Sequence, residues 1–205
     1  MSLDKLPFNW FDLVLVVVLL LGIWRGQKQG VSEGLLPTAK WLVILFIAAF
    51  AYGPFGQFIM SSAPLGPLTC YVIGYLTSGL GVFILFSAIK RALGGKLVGS
   101  DFFGRSEYYL GMVAGMIRYA CVLLCALALL NARFYSDAEI RANQKYQDDV
   151  YGSNFFPGLQ SLQDTVFAKS LTGPFIKLHA AQLLIRSTPP GGGRIERPKL
   201  DLPGA

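Results

Sequence analysis

Charge is scarce in this chain. Asp, Glu, Lys and Arg make up 15% of its 205 residues, where a soluble domain carries about 25%. Histidine occurs once, at His179, and cysteine three times. A lone histidine and no Cys pair at zinc or dithiol spacing leave no metal or redox centre to expect. Cys121 and Cys125 lie four apart inside an apolar run, which puts both on one helix face as small buried side chains. Cys70 stands alone, so there is no disulfide framework. HExxH, GxSxG, a Walker-type GxxxxGKS/T and paired acids within an apolar run are all missing. No catalytic residue, no enzymatic activity and no cofactor are therefore expected.

Apolar side chains are what the chain has in quantity. They make up 53% of it, and the mean hydropathy is +0.49. There are 23 glycines, a residue commoner in membrane helices than in soluble ones. A helix crossing the hydrocarbon needs about 20 mostly apolar residues. Four runs answer to that length, and they predict an all-α integral membrane protein with spans near 8–26, 32–52, 69–89 and 109–130. The first is preceded by Asp4 and Lys5, holds Asp12, and ends on Arg25 with no small-x-small site. It reads as a retained anchor rather than a cleaved signal peptide. Lys40 lies near one end of the second run and must snorkel, with Pro37 expected in or near that helix's first turn. The uncharged connection 53–68 reads as an interfacial loop, with a re-entrant turn as the other possibility.

The net charge of +6 needs no nucleic acid to explain it, because the cations cluster at the ends of the runs. Arg25, Lys28 and Lys40 flank the first connection, and Lys90, Arg91, Lys96 and Arg105 the third. Residues 53–68 carry no Lys or Arg. Short cytoplasmic loops hold the basic excess, so the first and third connections are expected inside and both termini outside. The Lys90–Arg105 segment suits anionic inner-leaflet lipid. After residue 131 the composition changes. The tail carries nine basic and seven acidic residues, and long segments cross largely regardless of charge. Domains are therefore expected at 1–131 (four spans), 132–186 (extracytoplasmic, two or three short amphipathic helices that rest on the membrane or meet a partner) and 187–205 (Pro/Gly-rich and disordered). Ser136 to Glu139 reads as a helix start. His179 reads as a surface or partly packed residue.

Arg118 is the sharpest single feature. It stands about ten residues into the fourth run, near mid-bilayer at about 1.5 Å per residue, where an arginine costs at least about 2.5–3.5 kcal/mol. Such a residue is expected to pair, with Asp12 favoured over Glu33. The pair reads either as a structural tie between two helices or as a polar site on a solute or proton path. Glycines recur every four residues at Gly22, Gly26, Gly30 and Gly34, and again at Gly111 and Gly115. That spacing lets helices touch closely. Gly22 and Gly26 are expected to pack, and Gly30 and Gly34 to form a turn.

Two stretches carry a family resemblance. Asp12 and its apolar run lead into Arg25-Gly26-Gln27-Lys28-Gln29-Gly30-Val31-Ser32-Glu33, an inner-face motif built on Arg25, Gly26, Gly30 and Glu33. Leu110-Gly111-Met112-Val113-Ala114-Gly115-Met116-Ile117-Arg118 opens the last run. Together they resemble the colicin V production protein family of bacterial inner-membrane proteins, over roughly residues 9–130 with the tail outside. Glu107-Tyr108 stands where the family usually has Asp-Arg, and Tyr119 where it often has Gly. The resemblance implies a four-span inner-membrane protein linked to toxin production or export and, more broadly, to envelope processes, with no chemical activity attached. The expected partners are the lipid bilayer, further copies of the chain or other envelope proteins, and no nucleic acid. Two functions remain open: a membrane interaction component, or a small oligomeric transporter or channel.

Overall fold

A computed structural model describes residues 9–63, 65–93, 106–136, 139, 141 and 158–188. The described chain is all-α. Its elements are α1 (Trp10–Ser62), α2 (Pro67–Leu93), α3 (Ser106–Asn131), α4 (Leu159–Phe167) and α5 (Thr172–His179). Three of them, Trp10–Ser62, Pro67–Ala92 and Ser106–Asn131, are long and apolar enough to cross a membrane. The expected first and second spans are thus merged in one element.

That merger is interrupted at a single residue. Gly30 has φ 68° and ψ 173°, a backbone region that in practice only glycine occupies. A straight helix of 53 residues would be about 80 Å long, and would hold Phe11 and Ala48 about 55 Å apart. Instead Phe11 and Ala48 share one buried cluster with Leu127 and Ala128 of α3. The chain therefore reverses at Gly30 into two antiparallel arms, 10–29 and 31–62. Of the two glycines expected to turn, only Gly30 does. Gly34 is helical, and its carbonyl accepts the Thr38 hydroxyl at 2.7 Å. Pro37 lies seven residues past the break, beyond the first turn.

The second arm also runs further than expected. Residues 53–62 are helix, with Pro54 inside it, so neither a loop nor a re-entrant turn occupies 53–62. Prolines are tolerated within membrane helices because neighbouring groups satisfy the freed carbonyl. The link to α2 shrinks to residues 63–66. It is closed by Ala63 N donating to the Ile59 carbonyl at 2.9 Å.

The two ends of the bundle pack by different means. Toward Gly30, arm 10–29 and α3 approach backbone to backbone. A Cβ on Gly22 would lie 2.9 Å from the Gly115 carbonyl, one on Gly115 would lie 2.7 Å from Gly26 Cα, and one on Gly111 would lie 2.6 Å from the Gly26 carbonyl. Toward Phe11 larger side chains make the contact: Phe11, Tyr75 and Leu127, then Val166, Phe167, Leu184 and Ile185 from the tail. A second close contact joins arm 31–62 to α2, where a Cβ on Gly74 would lie 2.9 Å from both Tyr52 O and Gly56 N.

The tail is therefore a cap on the bundle rather than a separate layer. Asn131 Nδ2 donates to Ile185 O at 2.9 Å, and Arg186 N donates to the Tyr52 hydroxyl at 3.3 Å. Thr188 pairs with residues 132 and 134 through Thr188 N to Ala132 O (2.9 Å) and Phe134 N to Thr188 O (3.1 Å). Two of the expected short helices, α4 and α5, are present. The rest of a third, after Ser136–Glu139, lies mostly outside the described residues, as does the disorder expected for 189–205; Thr188, expected in that disordered stretch, is instead fixed by its bonds to residues 132 and 134. Glu139 N donates to Ser136 Oγ at 3.3 Å, the bond expected of a cap at that point.

Candidate functional site

Asp12 is the centre of the cap. Asn9 caps α1 with its side chain on Trp10 N at 2.7 Å. In return Asn9 N donates to Asp12 Oδ2 at 3.0 Å, which completes a capping box. The same carboxylate reaches the tail. Leu171 N donates to Oδ2 at 3.0 Å, Thr172 N to Oδ1 at 3.1 Å, and the Thr172 hydroxyl to Oδ1 at 2.6 Å. An ionised carboxylate has about four lone-pair positions, and all four are used. Asp12 is only 3% exposed, yet it needs no cation. It sits in the first turn of α1 and faces the start of α5, so two helix N-termini direct their positive ends at one charge. With every acceptor site filled, Asp12 holds the cap in place and offers no open position for a metal or a substrate.

The loop that delivers Leu171 and Thr172 is itself built tightly. Ser170 is buried, accepts from Gly173 N at 2.8 Å and donates to Val166 O at 2.5 Å. Gly173 has no room for a side chain, since a Cβ there would meet the Val166 carbonyl and lie 2.9 Å from Phe167 Cα. Asn9 Nδ2 adds a bond to Thr165 O at 3.3 Å.

The structure does not bring Asp12 and Arg118 together. Arg118 Nη1 donates to Gln29 Oε1 at 3.2 Å, at the Gly30 end. Asp12 and Gln29 stand 17 residues apart on one arm, about 25 Å along the helix. The expected pairing fails because backbone donors and the Thr172 hydroxyl saturate Asp12, while Arg118 bends toward the opposite end. Glu33, the other candidate partner, is exposed.

The remaining motif residues divide between packing and surface. Gly26 and Gly30 are structural, one pressed on α3 and the other forming the break, with the Glu107 side chain against it. Arg25 is exposed, and Lys28 Nζ lies 3.9 Å from the Trp24 ring centroid. Gln27 Nε2 bonds the Tyr108 hydroxyl, so the two family stretches meet around the break. Gly22, Gly26, Gly111 and Gly115 form one interlocking contact, as their spacing predicts. His179 lies exposed on α5, stacked on Phe175. Among the described residues, no three His, Cys, Asp or Glu side chains converge as metal ligands.

Sequence reasoning missed the acceptor role of Asp12 toward the tail and the Gly56–Gly74 contact. The first had a faint signal in Ser170 and Thr172, two hydroxyls bracketed by the apolar pairs Val166-Phe167 and Leu184-Ile185. The second had none, since each helix supplies one glycine to the contact and no spacing repeats between them.

Among curated proteins and solved structures no match is found. The family described as Colicin V production protein matches residues 11–164. The match passes the end of α3 and includes part of α4, so the tail is not wholly outside the resemblance as expected. Spanning Asp12, the Gly30 break, the α3 glycines and the start of the cap, that match makes this chain a member of the colicin V production protein family.

Proposed function

We propose that this protein is a four-pass component of the bacterial inner membrane that acts by binding other envelope proteins during toxin production or export, without catalysis. The two arms of α1 count as two passes. The basic residues at the Gly30 end then lie on the cytoplasmic side by the positive-inside rule, and both termini and the cap lie in the periplasm. The observation that carries the interaction reading is the surface of the cap. Asp12 anchors α5 by its first turn, and the helix turns Leu171, Phe175 and Leu178 outward, at 52%, 63% and 76% exposure. With Pro174 these residues fall at i, i+3, i+4 and i+7, one apolar stripe. A rigidly held apolar stripe outside the bundle suits a partner's groove or the lipid surface. A buried core closes the Phe11 end of the described bundle, so the transport reading puts its path between copies.

The deciding experiment is a photo-crosslinking amino acid at Phe175 in intact cells, alongside flux measurements in liposomes. A discrete protein adduct with no flux is expected. Solute flux that depends on Arg118, with no adduct, would reject the interaction reading in favour of a small oligomeric transporter or channel. Reporter fusions at residue 188 that are active only in the cytosol would reject the topology.

A further inference from the structure

Three cations from three helices gather at the Gly30 end: Lys40 of arm 31–62, Lys90 of α2 and Arg118 of α3. Lys40 is half-buried, with Nζ 4.2 Å from the ring centroid of Phe83 on α2. Two residues before it the Thr38 hydroxyl donates to Ala114 O of α3 at 3.1 Å, and Lys90 and Arg118, both of its own sign, are near enough to act on it. Arg118 is half-buried and spends one donor on the neutral Gln29 amide. Its other donors have no protein acceptor among the described residues. Among the described residues none of the three cations forms a salt bridge. The ion pair among the described residues, Arg133–Glu139 at 3.9 Å, belongs to the opposite end. Of the described acids at that end, Glu33 is exposed and Glu107 packs on Gly30.

Like charges held together in a low-dielectric medium repel, and each is costly there unless an anion compensates it. The aromatic face of Phe83 steadies Lys40 but neutralises nothing. We propose that Lys40, Lys90 and Arg118 form a binding site for a negatively charged phosphate group, with Arg118 supplying paired N–H donors and the two lysines point charges. Guanidinium matches phosphate oxygens in a two-pronged fashion, while ammonium groups act as mobile charges beside it. An acidic phospholipid headgroup would present that phosphate at the membrane surface, and the long snorkelling side chains reach toward it. Free phosphate shares the chemistry. The inference rests on the membrane reading above, which flotation of the reconstituted protein with vesicles tests separately.

The test uses the full chain in detergent micelles, titrated with phosphatidylglycerol, phosphatidylcholine or inorganic phosphate and read by native mass spectrometry. Phosphatidylglycerol is expected to bind roughly 10- to 100-fold more tightly than phosphatidylcholine, the range that a few basic side chains at a membrane surface supply. Lys40→Gln and Arg118→Gln should each remove most of that preference. Lys177→Gln, on the exposed cap, should leave it unchanged. If inorganic phosphate binds and displaces the lipid, the site stands and its source is the free anion. Equal binding of the two lipids with no phosphate binding would overturn the site, as would wild-type preference retained in the Lys40 variant. Should Arg118→Gln fail to assemble, Lys40→Gln and the exposed Lys90→Gln carry the same test.

Discussion

Replacing Asp12 by Asn removes one charge and almost no volume, so the change isolates the carboxylate. Each oxygen now accepts two bonds: Oδ2 from Asn9 N and Leu171 N, Oδ1 from Thr172 N and the Thr172 hydroxyl. An amide must turn its NH2 toward one of these pairs. The milder choice faces Thr172, whose hydroxyl can rotate and accept, but Thr172 N is then left without a partner. One charge-assisted bond is lost, worth about 1.5–3 kcal/mol, and the survivors weaken because the acceptor is neutral. The favourable field of two helix N-termini, roughly 0.3–1 kcal/mol each, goes with the charge. The sum is about 2–5 kcal/mol, or roughly a 30- to 5,000-fold shift in the docking equilibrium of the cap. Burial at 3% exposure means that solvent screening discounts little of it. Hydrogen exchange of the full chain in nanodiscs reads the effect directly. The amides of Leu171 and Thr172, and those of α4 and α5, should exchange faster by about that factor while the α3 amides keep their protection. Unchanged protection at Leu171 and Thr172 in Asp12→Asn would refute the clamp.

Other substitutions test the rest of the packing. Gly115→Ala places a methyl where Gly26 Cα lies 2.7 Å away, with backbone that cannot yield, and should lower the melting temperature by the equivalent of about 1–3 kcal/mol. Gly34→Ala meets nothing within 4 Å and should melt as wild type. Gly30→Ala forces a side chain into φ 68°, ψ 173° at a cost of about 1–3 kcal/mol. Spin labels at the two ends of α1 should show the arms opening. Arg118→Leu leaves no described carboxylate unpaired, since its partner is the Gln29 amide, so membrane levels of the protein should hold; a collapse in level would show a tie that this geometry lacks.

How far the fold is legible in the sequence depends on the kind of signal. The apolar runs mark α2 and α3 to within a few residues, because a bilayer demands a fixed length of apolar helix. The Gly22, Gly26, Gly111 and Gly115 contact is legible because close helix approach requires small residues at a repeating spacing. Pro54 misleads: in water it would argue for a break, yet the helix continues to Ser62. Asp12 misleads in another way. A buried acid and a buried base invite pairing, but a carboxylate can be satisfied by backbone donors alone, and the chain order of Leu171 and Thr172 does not reveal that they return to it.

Composition and periodicity by themselves determined that this is an all-helical chain built for lipid, with most cations of its first 131 residues collected at the ends of the apolar runs, a glycine contact between the first and last runs and a family membership that residue patterns carry. Those are properties of neighbours in sequence, and local physics acts on them directly. Only the tertiary structure decided that Gly30 alone reverses α1, that the tail closes the Phe11 end, and that Asp12 and Arg118 serve opposite ends. Each of those is a choice among partners tens to more than a hundred residues apart, and hydrogen-bond saturation makes that choice only after the chain has folded.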